Sequence, residues 1–266
     1  MTVRSGGKQR PTDEPAESTV LVDVAEGVAT VSLNRPARLN AINAQLVNDL
    51  HQAMGNVQER SDVSAILLRG EGRAFCAGDD LTDMKGEFAD AGLLASMVDQ
   101  LQDISRLIVL GPKPVVAAVH GWAVGGGLEW ALNCDVTLFA ETARGFFPEV
   151  RLGLAATGGV TCLLPALVGT VRARDLLFFG REFTAADAVG WGMISATAPD
   201  DQLMRVARSR AEQFRDLPAP AVRELKNALG APQRAAFEQA LDTERDMLLR
   251  LAAIVVEGER WPEIKP

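Results

Sequence analysis

The chain has 266 residues, 47% of them hydrophobic, enough for a substantial core in one large domain or one with a smaller appendage. Lys and Arg number 27 against 35 Asp and Glu, and the net charge of −8 argues against a broad surface for nucleic acid or anionic membrane, though not against one anionic small ligand held by local cations. Three cysteines without CxxC spacing (Cys76, Cys134, Cys162) fit a reducing compartment, and His51 and His120 are too few for a Cys/His zinc site.

Residues 1–18 have the Pro, Glu, Ser and Lys composition of a disordered tail and lack the apolar region of a signal peptide. No segment approaches the roughly 18 uninterrupted apolar residues of a membrane span, so a cytoplasmic, soluble protein is expected. STVLVDVAEGVATVSLN (18–34) gives two β-rich runs about a turn at Gly27, a hairpin signal. After NRPARLNA, residues 43–60 place Leu46, Val47, Leu50, Met54 and Val57 on one helical face, with Asn43 as N-cap. SAILLRG (64–70) reads as a buried strand running into the loop EGRAFCAGDDL (71–81). Residues 92–109 are helix-like, and KPVVAAVHGWAV (113–124) gives a further buried strand ended by glycine. A helix follows Gly125, Gly126 and Gly127, and DVTLFA (135–140) is another strand. GGVTCLLPALVG, VRARDLLFFG and TAADAVGWG read as short helices, the last capped by Thr184. From about Pro199 the pattern is helical, with breaks near Pro218 and Gly230. Strands alternating with helices indicate an α/β core followed by an all-helical end.

Three stretches carry candidate chemistry. AFCAGDDL follows a buried strand, where α/β folds place ligands; the alternative is a turn with two solvated aspartates. GGGLEWALNCD (125–135) opens a helix with three glycines, and the unpaired N–H groups of such a terminus can stabilise a developing oxyanion. Glu129 within it is either an acid favoured by the helix dipole or a functional group. In GFFPEVRLGL (145–154) Glu149 sits among apolar residues, where desolvation would raise its proton affinity, unless it is an exposed edge residue. If the fold brings the two glutamates together, they form an acid–base pair. The glycine run matches neither GxxxxGK[ST] nor GxGxxG, and no GxSxG is present. His120, between a strand and Gly121, reads as structural, and RVARSRAEQFR as a solvated helix face.

Taken together, LNRPARLNAI, GEGRAFCAGDDL, KPVVAAVHGWAVGGGLEWALNCDVTLFA, FFPEVRLGL and LLPALVG…GREFTAADAVGWGMI resemble the crotonase superfamily, the enoyl-CoA hydratase/isomerase proteins, from about residue 19 to beyond 195. The resemblance implies an α/β spiral of repeated β-β-α units over 19–198. It also implies a helical region over 199–266 that serves self-association as a homotrimer or dimer of trimers. It implies an acyl-CoA thioester substrate, with coenzyme A as part of that substrate and no separate cofactor or metal. The backbone N–H groups of Asp79 and Gly126 would form the oxyanion hole. Glu129 would activate water, and Glu149 would supply the α-proton in syn hydration of a trans-2-enoyl-CoA. The loop at Arg38–Ala41 and the run Asp79, Asp80 and Leu81 would contact CoA, with Arg38 a partner for its phosphates.

Three residues depart from the family pattern. Asp79 stands where alanine is usual, Thr157 replaces a glycine in ATGGVT (156–161), and Trp130 replaces a smaller aliphatic, where it reshapes the acyl pocket or packs in the core. The rival activity is a Δ3,Δ2-enoyl-CoA isomerase or other crotonase-type lyase. A rival of another class is a non-catalytic acyl-CoA-binding subunit, whereas the charge disfavours the RNA-binding role of some relatives.

Overall fold

The computed structural model describes residues 18–258, so the tail expected at 1–18 lies outside the described residues except for Ser18. The hairpin forms as the sequence suggests, with β1 (Val20–Ala25) antiparallel to β2 (Val28–Leu33). Glu26 and Gly27 take positive φ (51° and 75°), matching a two-residue turn whose twist suits the strands. Helix α1 (Ala44–Glu59) is capped by the Asn43 side chain, which accepts from the Leu46 N–H at 3.0 Å, and all five apolar positions of its stripe are buried.

Strand β3 (Ala65–Gly70) is followed by α2 (Met84–Ala89) and α3 (Ala91–Val109). The run 113–124, expected as one strand, is two: β4 (Val115–Val119) and β5 (Trp122–Val124), which belong to different sheets. The chain bends at Gly121, whose φ is +58° and where any Cβ would stand 2.2 Å from the Arg73 carbonyl oxygen. Helix α4 (Gly126–Asn133), β6 (Val136–Ala140), β7 (Arg144–Phe146), α5 (Val160–Val168) and α6 (Thr170–Phe179) follow. After β8 (Phe183–Thr184), α7 (Ala185–Gly190) begins with a reciprocal capping box between Thr184 and Asp187. Strand β9 (Ala196–Ala198) precedes the helical end, α8 (Leu203–Gln213), α9 (Ala219–Gly230) and α10 (Arg234–Glu257).

The strands form a six-stranded sheet ordered β1-β2-β3-β4-β6-β9, parallel except at the hairpin, and a three-stranded sheet ordered β5-β7-β8. Each central turn of chain lays a strand in the large sheet, crosses to a short extended stretch, then enters a helix. Thus β4, β5 and α4 make one turn, and β6, β7 and α5 the next. The short stretches stack in parallel: Ile42 bridges Asp79, Cys76 bridges Ala123, and Val124 pairs with Phe146. This is the expected spiral of β-β-α units.

Helices α1 and α3 pack on one another, and α8 packs against β3 and β4, enclosing the main apolar core. A second apolar cluster lies between α2, α3 and α10, built on Met84, Phe88, Leu94, Val98 and Leu248. Helix α10 therefore folds back over its own chain. Among the described residues no helix is long and apolar enough to cross a membrane.

Candidate active site

The stacked short strands set the site. Cys76 is paired with Ala123, so Asp79 and Gly126, each three residues further along, end side by side. Around Asp79, Ile42 donates to the Gly78 carbonyl (2.8 Å) and accepts from the Asp80 N–H (2.7 Å). The intervening Asp79 N–H points the other way, as parallel pairing requires. Gly126 is the first residue of α4, whose early N–H groups have no partner within the helix. Among the described residues neither N–H donates to any protein acceptor.

The glycine run has separate reasons at its positions. Gly125 takes φ +50°, and a Cβ there would stand 2.6 Å from Glu149 Oε1. A Cβ at Gly127 would stand 2.4 Å from the Cys76 side chain, so that glycine lets the helix seat against the short strand. A Cβ at Gly126 would stand 4.0 Å from Glu129 Oε2. The two glutamates, twenty residues apart in sequence, thus stand at adjacent glycines, Glu149 at Gly125 and Glu129 at Gly126.

Both acids are buried, Glu129 being 1% exposed and Glu149 6%. Burial is the main force raising the proton affinity of each, and the charge of Glu129 raises that of Glu149 further. They differ in their partners. Glu129 accepts from the Thr157 N–H (3.0 Å) and the Thr157 hydroxyl (2.5 Å), both of which favour its ionised form. Among the described residues the Glu149 carboxylate meets only its own backbone N–H, and its carbonyl accepts from the Leu154 N–H (2.8 Å) where a short turn ends at Gly153. Of the two, Glu149 lacks the Thr157 donors that favour the charged form of Glu129.

Asp79, Gly126, Glu149 and Thr157 line one side of a cavity of ≈ 30 Å³, and Phe88, Leu94, Met97 and Leu248 line the other. A water needs about 10–15 Å³ on this measure. Glu129 is not itself among the lining residues, but its hydrogen-bond partner Thr157 is. Burial, and then the nearby Glu87 charge, raise the Asp79 carboxyl to about 6.

The loop expected to meet CoA runs alongside. Arg38 is exposed in a short 3-10 turn, and the Ala41 carbonyl accepts from the Arg35 guanidinium. Asp80 is buried, with its carboxylate 3.0 Å from Arg35 and accepting from the Thr82 N–H at 3.1 Å, while Leu81 packs into the second apolar cluster. Trp130 is 1% exposed within the main core, away from the cavity wall, which resolves its two readings in favour of packing. His120 contacts the Gly72 carbonyl through Nε2 (2.9 Å), a structural tie as expected.

Sequence reasoning missed the apolar wall and Glu244. Residues Phe237, Leu241, Glu244, Leu248, Ala252 and Val255 form the buried stripe of α10. An acid at helical spacing within an apolar stripe is the same anomaly that singled out Glu129, and it went unused in α10.

Two desolvated carboxylates beside a pair of backbone N–H groups without a protein acceptor form an arrangement that can stabilise a carbonyl gaining negative charge. The family model described as enoyl-CoA hydratase/isomerase matches residues 23–255, and the chain belongs to that family, within the crotonase superfamily. Two relatives over 85% of this chain and 87% of their own are a probable enoyl-CoA hydratase of Mycobacterium bovis, 35% identical, and a 1,2-epoxyphenylacetyl-CoA isomerase of Escherichia coli, 34% identical. A solved enoyl-CoA hydratase/isomerase from Mycobacterium paratuberculosis superposes with a TM-score of 0.84 at 28% identity, covering 92% of this chain and 99% of the other.

Proposed function

We propose that this chain is an enoyl-CoA hydratase, adding water reversibly and in syn fashion to a trans-2-enoyl-CoA thioester. The observation that carries the reading is the convergence of Glu129 and Glu149 on the two glycines beside the free N–H groups of Asp79 and Gly126. The thioester oxygen accepts from those two donors as it becomes enolate-like. Losing one such donor typically costs about 10²–10³ in rate. Glu129, raised to about 8 by burial while the two Thr157 donors favour its ionised form, takes a proton from the water that attacks Cβ once it is ionised. Glu149, the protonated partner, delivers its proton to Cα. Arg38 lies exposed where it can meet the CoA phosphates. Self-association as a trimer or dimer of trimers is part of this reading, and the α9 side chains Leu225 and Leu229, 61% and 73% exposed, offer apolar surface for contact with another copy.

A second reading is a proton-shuttling isomerase. It is favoured by Thr157, which donates to both Glu129 oxygens, and by the relative named as an isomerase. The test is loss of enoyl-thioester absorbance over a panel of trans-2-enoyl-CoA substrates, with Glu129→Gln and Glu149→Gln assayed beside the wild type. Comparable large losses in both variants support hydration. Retained activity in one favours proton shuttling, and acyl-CoA binding without turnover identifies a non-catalytic subunit.

A further inference from the structure

Glu244 is 0% exposed, lies on α10 some hundred residues from either site acid in sequence, and has no cationic partner among the described residues. A buried carboxylate without a counter-charge is costly unless hydrogen bonds replace its hydration. Here they do. Glu244 Oε2 accepts from the Gly159 N–H (2.7 Å), and Oε1 accepts from the Thr161 N–H (2.9 Å) and the Thr161 hydroxyl (2.6 Å). All three donors belong to the N-cap and first turn of α5, beginning two residues after Thr157, which grips Glu129.

The rest of this loop is tied in the same direction. The Gly158 N–H donates to Gln102 Oε1 (3.0 Å), and Gln102 Nε2 donates to the Leu241 carbonyl (3.0 Å), one turn before Glu244 on α10. Asn133 Nδ2 donates to the Gly158 carbonyl (2.9 Å) from the far end of α4, the helix that carries Glu129. A Cβ at Gly158 would stand 3.1 Å from both Cβ and Oε2 of Glu129, so the loop is pressed against that side chain. Shifting the first turn of α5 therefore moves Thr157 relative to Glu129.

We propose that Glu244 is a positioning residue for Glu129: it clamps residues 159–161 so that both Thr157 donors meet the Glu129 carboxylate. The inference rests on the reading of Glu129 as the base. Helix α10 thus serves the site twice, through Leu248 in the cavity wall and through Glu244 behind the base.

Both oxygens of Glu244 already accept, so a carboxamide must turn its NH₂ toward an N–H donor. Glu244→Gln is therefore expected to displace the loop while nearly preserving volume. A displacement of ~1 Å at a reacting group costs about 10²-fold in rate. The expected result is kcat down by about that factor with KM unchanged, assayed well below the melting temperature. A structure of the variant should show the Thr157 hydroxyl beyond hydrogen-bond reach of Glu129. A merely structural role lowers the melting temperature and leaves kcat and the Thr157–Glu129 distance as they are, which would overturn the proposal. If Glu244→Gln fails to fold, Thr161→Val removes one donor and keeps the acid. A lower kcat at constant KM then supports the clamp, and an unchanged kcat refutes it. Glu129→Gln run in parallel separates the two readings: if it stays fully active, the base assignment falls, while the distance in the Glu244→Gln structure still decides the clamp.

Discussion

Thr157→Val removes the hydroxyl that holds Glu129 at 2.5 Å, while keeping the β-branch and the backbone N–H that reaches the same carboxylate at 3.0 Å. A hydrogen bond to a charged group contributes about 1.5–3 kcal/mol. One pH unit of proton affinity corresponds to about 1.4 kcal/mol. The Glu129 proton affinity should therefore rise by about one to two units in the variant, because the lost bond favours the ionised form. A base acts only when ionised, so the acidic limb of the kcat profile should move to higher pH by the same amount. At about pH 7 the variant should be ~10–100-fold slower, and the deficit should shrink as pH rises. Thr157→Ser keeps the hydroxyl and should stay near the wild-type profile. Steady-state hydration of an enoyl-CoA across pH makes the measurement. An acidic limb that stays in place in Thr157→Val would refute the claim that this hydroxyl favours the charged form of the base.

Other consequences follow from the same geometry. Glu149 has its proton affinity raised by burial and by Glu129. The folded state therefore binds the proton more tightly than the unfolded chain, whose carboxyl titrates near about 4.3. That contribution is fully present below this value and is lost as pH rises toward the folded-state value. Thermal melts should show the wild type losing stability as pH rises above the unfolded value of about 4.3, and Glu149→Gln losing less while being nearly inactive. A variant less stable than wild type at the upper pH contradicts this. Gly125→Ala drives a Cβ to 2.6 Å from Glu149 Oε1 at φ +50° and should cost about 1–3 kcal/mol of stability along with most activity; wild-type melting and turnover would disprove it. Asp79 offers its N–H while its carboxyl, raised to about 6, opposes negative charge on the thioester oxygen once ionised. Asp79→Ala keeps the donor, so its kcat relative to wild type should rise between about pH 5 and about pH 8. A ratio that falls over that range would mean the carboxylate aids the reaction.

Much of the fold was legible because its signals are local. Asn43, Thr184 and Gly27 act through neighbours within a few residues, and the α1 stripe records its own buried face. The break at Gly121 was not legible, because the reason for it is the Arg73 carbonyl, which only the folded chain brings within 2.2 Å of that position. For the site, Glu129 and Glu149 stood out as acids in apolar surroundings, but their meeting depends on short strands stacked with no sequence-local trace. Thr157 was visible as a departure, yet its grip on Glu129 required the loop to fold across α4. Glu244 was hidden by distance: its partners lie 85 and 83 residues away along the chain.

The central claim is that the glutamate pair adds water rather than only moving a proton. The direct test is product analysis by mass spectrometry and NMR after incubating the protein with a trans-2-enoyl-CoA in D₂O. Hydration gives a product heavier by one D₂O, with a single deuterium at Cα and the oxygen at Cβ. That product is expected to form in neither Glu129→Gln nor Glu149→Gln at a comparable rate. A thioester that gains no water and only exchanges or relocates hydrogen along the chain would contradict the claim.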